Sequence, residues 1–374
     1  MKPRVAIVHD YLWTVGGAEK VVEGLAEAFP EAPIYTSFLL SDKMIKEGFS
    51  VDLQRIKTTW MQYLPFKRQL YKVYFLLYPL AFRSLRLKNY DLVIASSSYA
   101  AIHVSCQGAT LICYCHTPSR YLYGYDTELD HAKLKKYFPF LEWLYSLVRK
   151  WDQKAAQRVD LFVTNSEEVK KRIRKHYDRD AIVIYPPVEV EKFANLKGES
   201  GDYYFTYGRL VAHKRVDIIV EAFNQLGWKL KIAGSGLEKE KLIKQAHPNI
   251  EFLGRVDEEE LKKQLASCKA VIFAADEDFG IVPVEAMAAG KPVIAFESGG
   301  VLESIVPGVT GVFFSHQTVA SLVKTLEKFK PEHYDSTRLR LQAQKFNKNS
   351  FQTNFHKLVN ITWTTKPVKD TLSS

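Results

Sequence analysis

The chain has 374 residues, 47% of them hydrophobic and 25% charged, a composition that excludes collagenous, coiled-coil and wholly disordered proteins. At roughly 150 residues per domain the length predicts two domains. Lysine and arginine outnumber acids 52 to 42, for a net charge of +10, so the partners to expect are anionic: nucleic acid, membrane lipid or a phosphorylated small molecule.

In chain order, the first element is a strand over residues 5–10, VAIVHD, followed by Gly16-Gly17 and an amphipathic helix over 18–29. His9 and Asp10 interrupt the N-terminal apolar run, so it does not resemble a signal peptide. Residues 54–90 carry Arg55, Lys57, Lys67, Arg68, Lys72, Arg83, Arg86 and Lys88 without a single acid, interleaved with Trp60, Tyr63, Phe66, Tyr71, Tyr74, Phe75, Tyr78 and Phe82. This reads as a basic, aromatic, helical surface suited to an anionic membrane, where rings insert and cations meet lipid phosphates. Its longest apolar run, residues 73–82, is about half of the ~20 residues that a spanning helix needs.

Buried-strand runs follow at DLVIAS (91–96), TLICYC (110–115) and LFVTNS (161–166). The four cysteines, Cys106, Cys113, Cys115 and Cys268, form no CxxC, which fits a reducing, cytoplasmic compartment. The rhythm breaks at Tyr185-Pro186-Pro187, and a linker is expected at 186–200. Beyond it, five strands (YYFTYG, KLKIAG, IEFLG, AVIFAA, PVIAF) alternate with helical segments. Alternation in both halves predicts an α/β protein: two Rossmann-like domains, 1–190 and 191–350, facing each other across a cleft, with ligands at the carboxyl ends of the strands. A final segment, 351–374, is expected to pack back on the first domain and to fray at its tip.

Candidate chemistry sits at strand ends. Glu277-Asp278-Phe279-Gly280-Ile281-Val282-Pro283-Val284-Glu285 follows the strand AVIFAA and enters a helix. Pro283 suits a first helical turn, and the free amides there make an anion site beside two carboxylates able to accept sugar or ribose hydroxyls. Arg209 and Lys214, on the loop after YYFTYG, pair a planar fork with a mobile point charge, a combination suited to a diphosphate. Gly16 and Gly17 permit close backbone approach to a phosphate. Gly234-Ser235-Gly236 occupies a similar place after KLKIAG, but Lys239 stands where a dinucleotide fingerprint needs its third glycine. His116 ends the strand TLICYC, where active-site loops belong. Asp178-Arg179-Asp180 reads as a turn, Asp276-Glu277-Asp278 overlaps a motif that needs no metal, and neither a zinc pattern nor a Gly-x-Ser-x-Gly elbow occurs. No metal and no cofactor is expected.

Taken together, Gly16-Gly17-Ala18-Glu19, His116-Thr117-Pro118 with Arg120-Tyr121, Gly208-Arg209 with Lys214, and Glu277 with Glu285 resemble the retaining glycosyltransferases of family 4, of the GT-B fold. HTPxRY and GRLVxxKRVD look most like the mannosyltransferases of cell-surface polysaccharide assembly. The resemblance implies that Arg209 and Lys214 bind the donor diphosphate and stabilise the leaving group, assisted by the Gly16 and Gly17 amides. It implies that Glu285 accepts ribose hydroxyls, that Glu277 accepts hydroxyls of the transferred sugar, and that His116 approaches that sugar. Gly234, Phe279, Gly280, Ile281 and Val282 are expected to border the donor, and the Arg255-Val256 backbone to border its base. No protein nucleophile is assigned. The expected reaction moves a hexose, mannose from GDP-mannose first, to a lipid-linked or saccharide acceptor on the inner face of the cell membrane. A UDP-hexose donor is the alternative, as is a degenerate scaffold that binds membrane or nucleic acid, and nucleic acid recedes to a minor option.

Overall fold

The computed structural model describes residues 2–70, 73–125, 140–196, 198 and 201–364. Tyr71 and Lys72 of the basic stretch, the Arg68 side chain, residues 197, 199 and 200 of the linker and the tail from 365 lie outside the described residues.

Strands of the first half are β1 (Val5–His9), β2 (Ile34–Thr36), β3 (Ile56–Thr58), β4 (Leu92–Ser97), β5 (Thr110–Cys115), β6 (Leu161–Thr164) and β7 (Ala181–Val183). They form one parallel sheet in the order β3-β2-β1-β4-β5-β6-β7. Those of the second half are β8 (Tyr204–Tyr207), β9 (Leu230–Ala233), β10 (Ile250–Gly254), β11 (Val271–Phe273), β12 (Val293–Phe296) and β13 (Gly311–Phe314). Their order, β10-β9-β8-β11-β12-β13, is again parallel. Both sheets are covered on both faces, and the side-chain period of two divides each strand between them. On β1, Ala6 and Val8 enter one core while Val5 and Ile7 enter the other, and on β11 Val271 and Phe273 are separated from Ile272 in the same way.

Strand order reverses at the β1/β4 pair and at the β8/β11 pair. An open α/β sheet leaves a crevice at such a switch point, because consecutive connections run to opposite faces. His9, Asp10, Ser96 and Ser97 stand at the first crevice, and the loops carrying Arg209 and Glu277 stand at the second.

The chain crosses between the sheets twice. Val188 pairs with Asn347 at the crossing, and the last helix, Lys348–Thr364, returns to the first sheet, where Phe351 and Phe355 are buried against Tyr114 with ring centroids 5.9 and 6.3 Å away. Burial of each phenylalanine contributes on the order of 2–3 kcal/mol.

Residues 54–90 differ from the single helical surface expected. They break into a 3-10 turn, β3, a second 3-10 turn at Trp60–Tyr63, short helical pieces and the helix Tyr78–Ser84. Pro65 and Pro79 lie within the run, and Pro interrupts helical hydrogen bonding everywhere but the first turn.

Candidate active site

The second-half wall of the cleft is assembled from three segments. Gly208 leaves β8 at φ 137°, a conformation open to glycine, and the chain passes Arg209 into the turn Ala212–Lys214. After β11, the loop to Gly280 carries Glu277, and the Lys214 ammonium is in contact with its carboxylate. Burial and the guanidiniums of Arg209 and Arg120 push Lys214 below its usual range, and the Asp278 carboxylate opposes that pressure. Gly280 opens the helix Ile281–Ala288 at φ 85°, and Glu285 lies one turn in. Burial raises the Glu285 carboxyl to about 7, against the hydrogen bond that Tyr207 donates to it at 2.7 Å. Arg209, Lys214 and Glu277 therefore meet at the β8/β11 crevice, while Glu285 lies at the end of β8 beside Tyr207, with Lys20, Lys192 and Glu189 as its charged neighbours.

What holds Glu277 there is a glycine pair that sequence reading overlooked. The Gly300 N–H donates to the Glu277 carbonyl at 2.9 Å, and Gly299 bridges to Glu277. A Cβ on Gly299 would stand 2.3 Å from the Glu277 oxygen. Gly234 has a comparable packing position: a Cβ there would stand 1.8 Å from the Gly208 carbonyl, so this glycine lets the β9 loop press against the Arg209 loop. The Phe279 side chain is buried against Tyr185 and Phe346, at 5.6 and 5.5 Å between ring centroids. The Phe279 side chain thus belongs to the second-half core. Its neighbours Ile281 and Val282 are half-buried in the first helical turn, and Val256 packs at the margin of the second-half core.

The first-half wall comes from β1 and β5. Gly16 caps the helix Gly17–Ala28, and its N–H donates to Glu19 Oε2 at 2.9 Å. The Gly16 amide expected to assist the donor phosphates is thus already engaged. Gly17 faces the opposite wall, since a Cβ there would stand 3.2 Å from Ile281 Cδ1. His116 is buried at the end of β5, with Nε2 2.8 Å from Ser96 Oγ, and burial, with a smaller contribution from His9, pushes it down to about 3. It is a neutral imidazole at physiological pH. Asp10, also overlooked, accepts the backbone N–H groups of Ser98, Tyr99, Ala100 and Ala101 at 2.6–3.0 Å and so shapes the loop after β4.

Charged pairs tie the two walls together. Asp278, beside Glu277, accepts from Arg120 at 2.6 Å and from Arg172 at 2.5 Å. At the far end, Arg255 reaches Glu47 at 3.5 Å, and Glu47 accepts from Thr14 Oγ1 and the Val15 N–H at 2.6 and 2.8 Å, bracing the turn that leads to Gly16. The arrangement offers two cations to a diphosphate, two carboxylates to hydroxyls, and a neutral imidazole across the cleft. It can stabilise the negative charge of a departing nucleoside diphosphate.

Residues 187–348 match the family described as glycosyl transferases group 1, and residues 15–192 match glycosyltransferase family 4. The chain belongs to family 4 of the glycosyltransferases. An uncharacterized glycosyltransferase of Methanocaldococcus jannaschii is 33% identical over 42% of this chain and 46% of its own length. A glycogen synthase of Mycobacterium tuberculosis is 34% identical over 35% of this chain and 34% of its own. The chain thus spans less than half the length of these two relatives. The alpha-1,3/1,6-mannosyltransferase ALG2 of Saccharomyces cerevisiae is 27% identical over 83% of this chain and 72% of its own. Among solved structures, Anabaena HepE with UDP-glucose overlays with a TM-score of 0.69 at 18% identity, covering 96% of this chain and 100% of that one. Sucrose-phosphate synthase of Thermosynechococcus elongatus overlays with a TM-score of 0.74 at 16% identity, covering 98% and 100%. The fold of this family 4 glycosyltransferase is GT-B.

A second feature of the glycosyltransferase lies outside the cleft. In the basic stretch, Tyr78 and Phe82 are core, and Arg55 donates to the Ala26, Phe29 and Ala32 carbonyls at 2.9–3.2 Å, closing the end of the Gly17–Ala28 helix. The reading of that stretch as one basic, aromatic surface is corrected accordingly. Trp60, Tyr63 and Phe66 do face solvent, the last two 87% and 71% exposed, beside exposed Lys57. The helix Phe140–Ala156 adds Trp143, Leu147 and Trp151, exposed at four-residue spacing, with Lys150 and Lys154 alongside. Phe75 packs on Tyr145 of that helix at 5.7 Å. Among the described residues no helix is long and apolar enough to cross a membrane.

Proposed function

We propose that the chain is a retaining hexosyltransferase that moves mannose from GDP-mannose to a lipid-linked or saccharide acceptor in polysaccharide or glycolipid synthesis. The observation that carries the reading is the meeting of Arg209, Lys214 and Glu277 at the β8/β11 crevice, with the buried Glu285 held by Tyr207 at the end of β8. The two cations take the diphosphate, Glu285 the ribose, Glu277 the sugar, and a donor phosphate oxygen assists removal of the acceptor proton. No metal or cofactor is part of the proposal. Mannose is supported by the mannosyltransferase relatives; the UDP and UDP-glucose complexes of HepE keep a UDP-hexose donor as the second reading.

A thermal-shift screen of nucleotide sugars tests the donor, because a ligand that binds only the folded state stabilises it by mass action. GDP-mannose is expected to raise Tm most, and the absence of a shift with every nucleotide sugar overturns the reading. The pH dependence follows from Glu285. Ribose hydroxyls donate to its ionised form, and burial raises the Glu285 carboxyl to about 7, so donor affinity is expected to fall about tenfold from pH 8 to pH 6. Without donor the sign for stability is opposite: the folded carboxyl holds its proton more tightly than the unfolded one, and stability falls as pH rises through 7. Glu285→Gln is expected to bind the donor more weakly with a flat profile, and an unchanged profile in this variant assigns the titration elsewhere.

We further propose that the protein is peripheral on the cytoplasmic face of the cell membrane, with nucleic acid a minor alternative as partner. Its occupant surface is anionic lipid, supported by exposed rings set among lysines with few acids. Trp143→Ser with Trp151→Ser is expected to cut cosedimentation with phosphatidylglycerol vesicles several-fold while donor hydrolysis in solution persists. Equal binding to neutral phosphatidylcholine vesicles, or binding to RNA lost in the same variant, counts against the lipid assignment.

A further inference from the structure

His9 at the end of β1 and His116 after β5 flank Ser96 of β4, with ring centroids 6.4 Å apart and planes nearly perpendicular. The proton positions follow from the acceptors available. His9 Nδ1 lies 3.0 Å from the Ser96 carbonyl oxygen, which can only accept, so Nδ1 carries a proton. That N–H also approaches Ser96 Oγ at 3.1 Å. The Ser96 hydroxyl is fully buried and lies 2.8 Å from His116 Nε2. Among the described residues its proton has an acceptor only if His116 Nε2 holds a lone pair. On the other side of the His9 ring, Nε2 stands 3.7 Å from Glu19 Oε1 with both side chains under 10% exposed, and a buried carboxylate needs a counter-charge. Glu19 in turn accepts the Gly16 N–H.

We propose that His9 and Ser96 are positioning residues that fix His116 as the neutral Nδ1–H tautomer, and that Glu19 ties this setting to the Gly16 turn. The proposal rests on the reading that His116 faces the transferred sugar. There the tautomer has a consequence. Glycosyl transfer passes through an oxocarbenium-like state with positive charge on the sugar. An imidazolium at His116 would raise its energy, whereas a neutral ring offers a hydrogen-bond donor without charge. Positive charge is favoured instead on the His9 ring, whose Nε2 lies 3.7 Å from Glu19 Oε1.

The test is the protonation state of His116, read by long-range ¹H–¹⁵N correlation on the full chain with ¹⁵N-labelled histidine, the resonances assigned by loss in His116→Gln. Protonated Nδ1 with unprotonated Nε2 is expected throughout pH 6–8. In Ser96→Ala a share of His116 is expected to move to the Nε2–H tautomer, with turnover of the donor down about tenfold at unchanged donor affinity. Ser96→Thr, which keeps the hydroxyl, is expected to restore both. An Nε2-protonated or doubly protonated His116 in the unaltered protein overturns the proposal, as does a Ser96→Ala variant of undiminished turnover. The tautomer is read without donor. Failure of every nucleotide sugar to bind therefore sinks the proposed function and leaves this spectroscopic answer intact.

Discussion

Lys214→Ala is expected to lower donor turnover by about 10²–10³-fold, the usual loss when one charge-stabilising group is removed from a preorganised site. Two effects add. The departing diphosphate loses a cation whose side chain is only 22% exposed, so water screens the loss weakly. The Glu277 carboxylate, which Lys214 contacts, is left without that neighbour beside Asp276 and Asp278, and now repels the phosphate it formerly helped to frame. Lys214→Arg retains the charge but not its compact shape, and an intermediate loss is expected. Because Lys214 and Glu277 touch, Lys214→Ala and Glu277→Gln together are expected to cost less than the product of the single losses. Single-turnover rates with saturating donor measure the chemical step, and urea unfolding checks that each variant is folded. Turnover within threefold of the unaltered protein would show that Lys214 does not meet the leaving group.

Much of this site could be read from residues whose meaning is local. Strand ends followed by Gly208-Arg209 or by Glu277 through Gly280 mark the β8/β11 crevice, because apolar runs of four to six residues and positive-φ glycines leave a short-range signature. The short strands were not legible: β2 and β3 have three residues each, too few for alternation, and β3 presents Lys57 to solvent. Nor were the contacts that align the two walls. Asp278 meets Arg172 and Arg120 across 106 and 158 residues, and no periodicity connects positions so far apart. The Gly16 amide illustrates a different limit. A glycine pair after a strand suggests a phosphate turn, but Glu19 three residues later completes a capping interaction that consumes the amide. His9 and Asp10, polar residues ending a fully buried strand, carried a signal for the β1/β4 crevice that their place in an apolar run obscured.

Gly300→Ala separates the two reasons for which glycine is required. Gly300 has an ordinary helical backbone, φ −68° and ψ −13°, so alanine fits its conformation. Space is what forbids it: a Cβ would stand 2.3 Å from the Asp278 carbonyl oxygen and from Phe279 Cα. Those are backbone atoms, so the chain itself must shift. Asp278 is meanwhile held from the other wall by Arg120 and Arg172, and its neighbour Glu277 is held against Lys214. Displacing this loop is expected to cost about 1–3 kcal/mol of stability, as overpacking does, and at least about tenfold in turnover, since an ångström of misplacement at a reacting centre can cost 10²-fold. Gly308 supplies the contrast. Its φ is +74° and nothing lies within 4 Å of its virtual Cβ, so Gly308→Ala strains the backbone alone, by about 1 kcal/mol, and leaves turnover unchanged. Urea unfolding and donor turnover on both variants make the comparison. If Gly300→Ala costs no more than Gly308→Ala and keeps full turnover, the Gly299-Gly300 pair is not what sets the Glu277 loop.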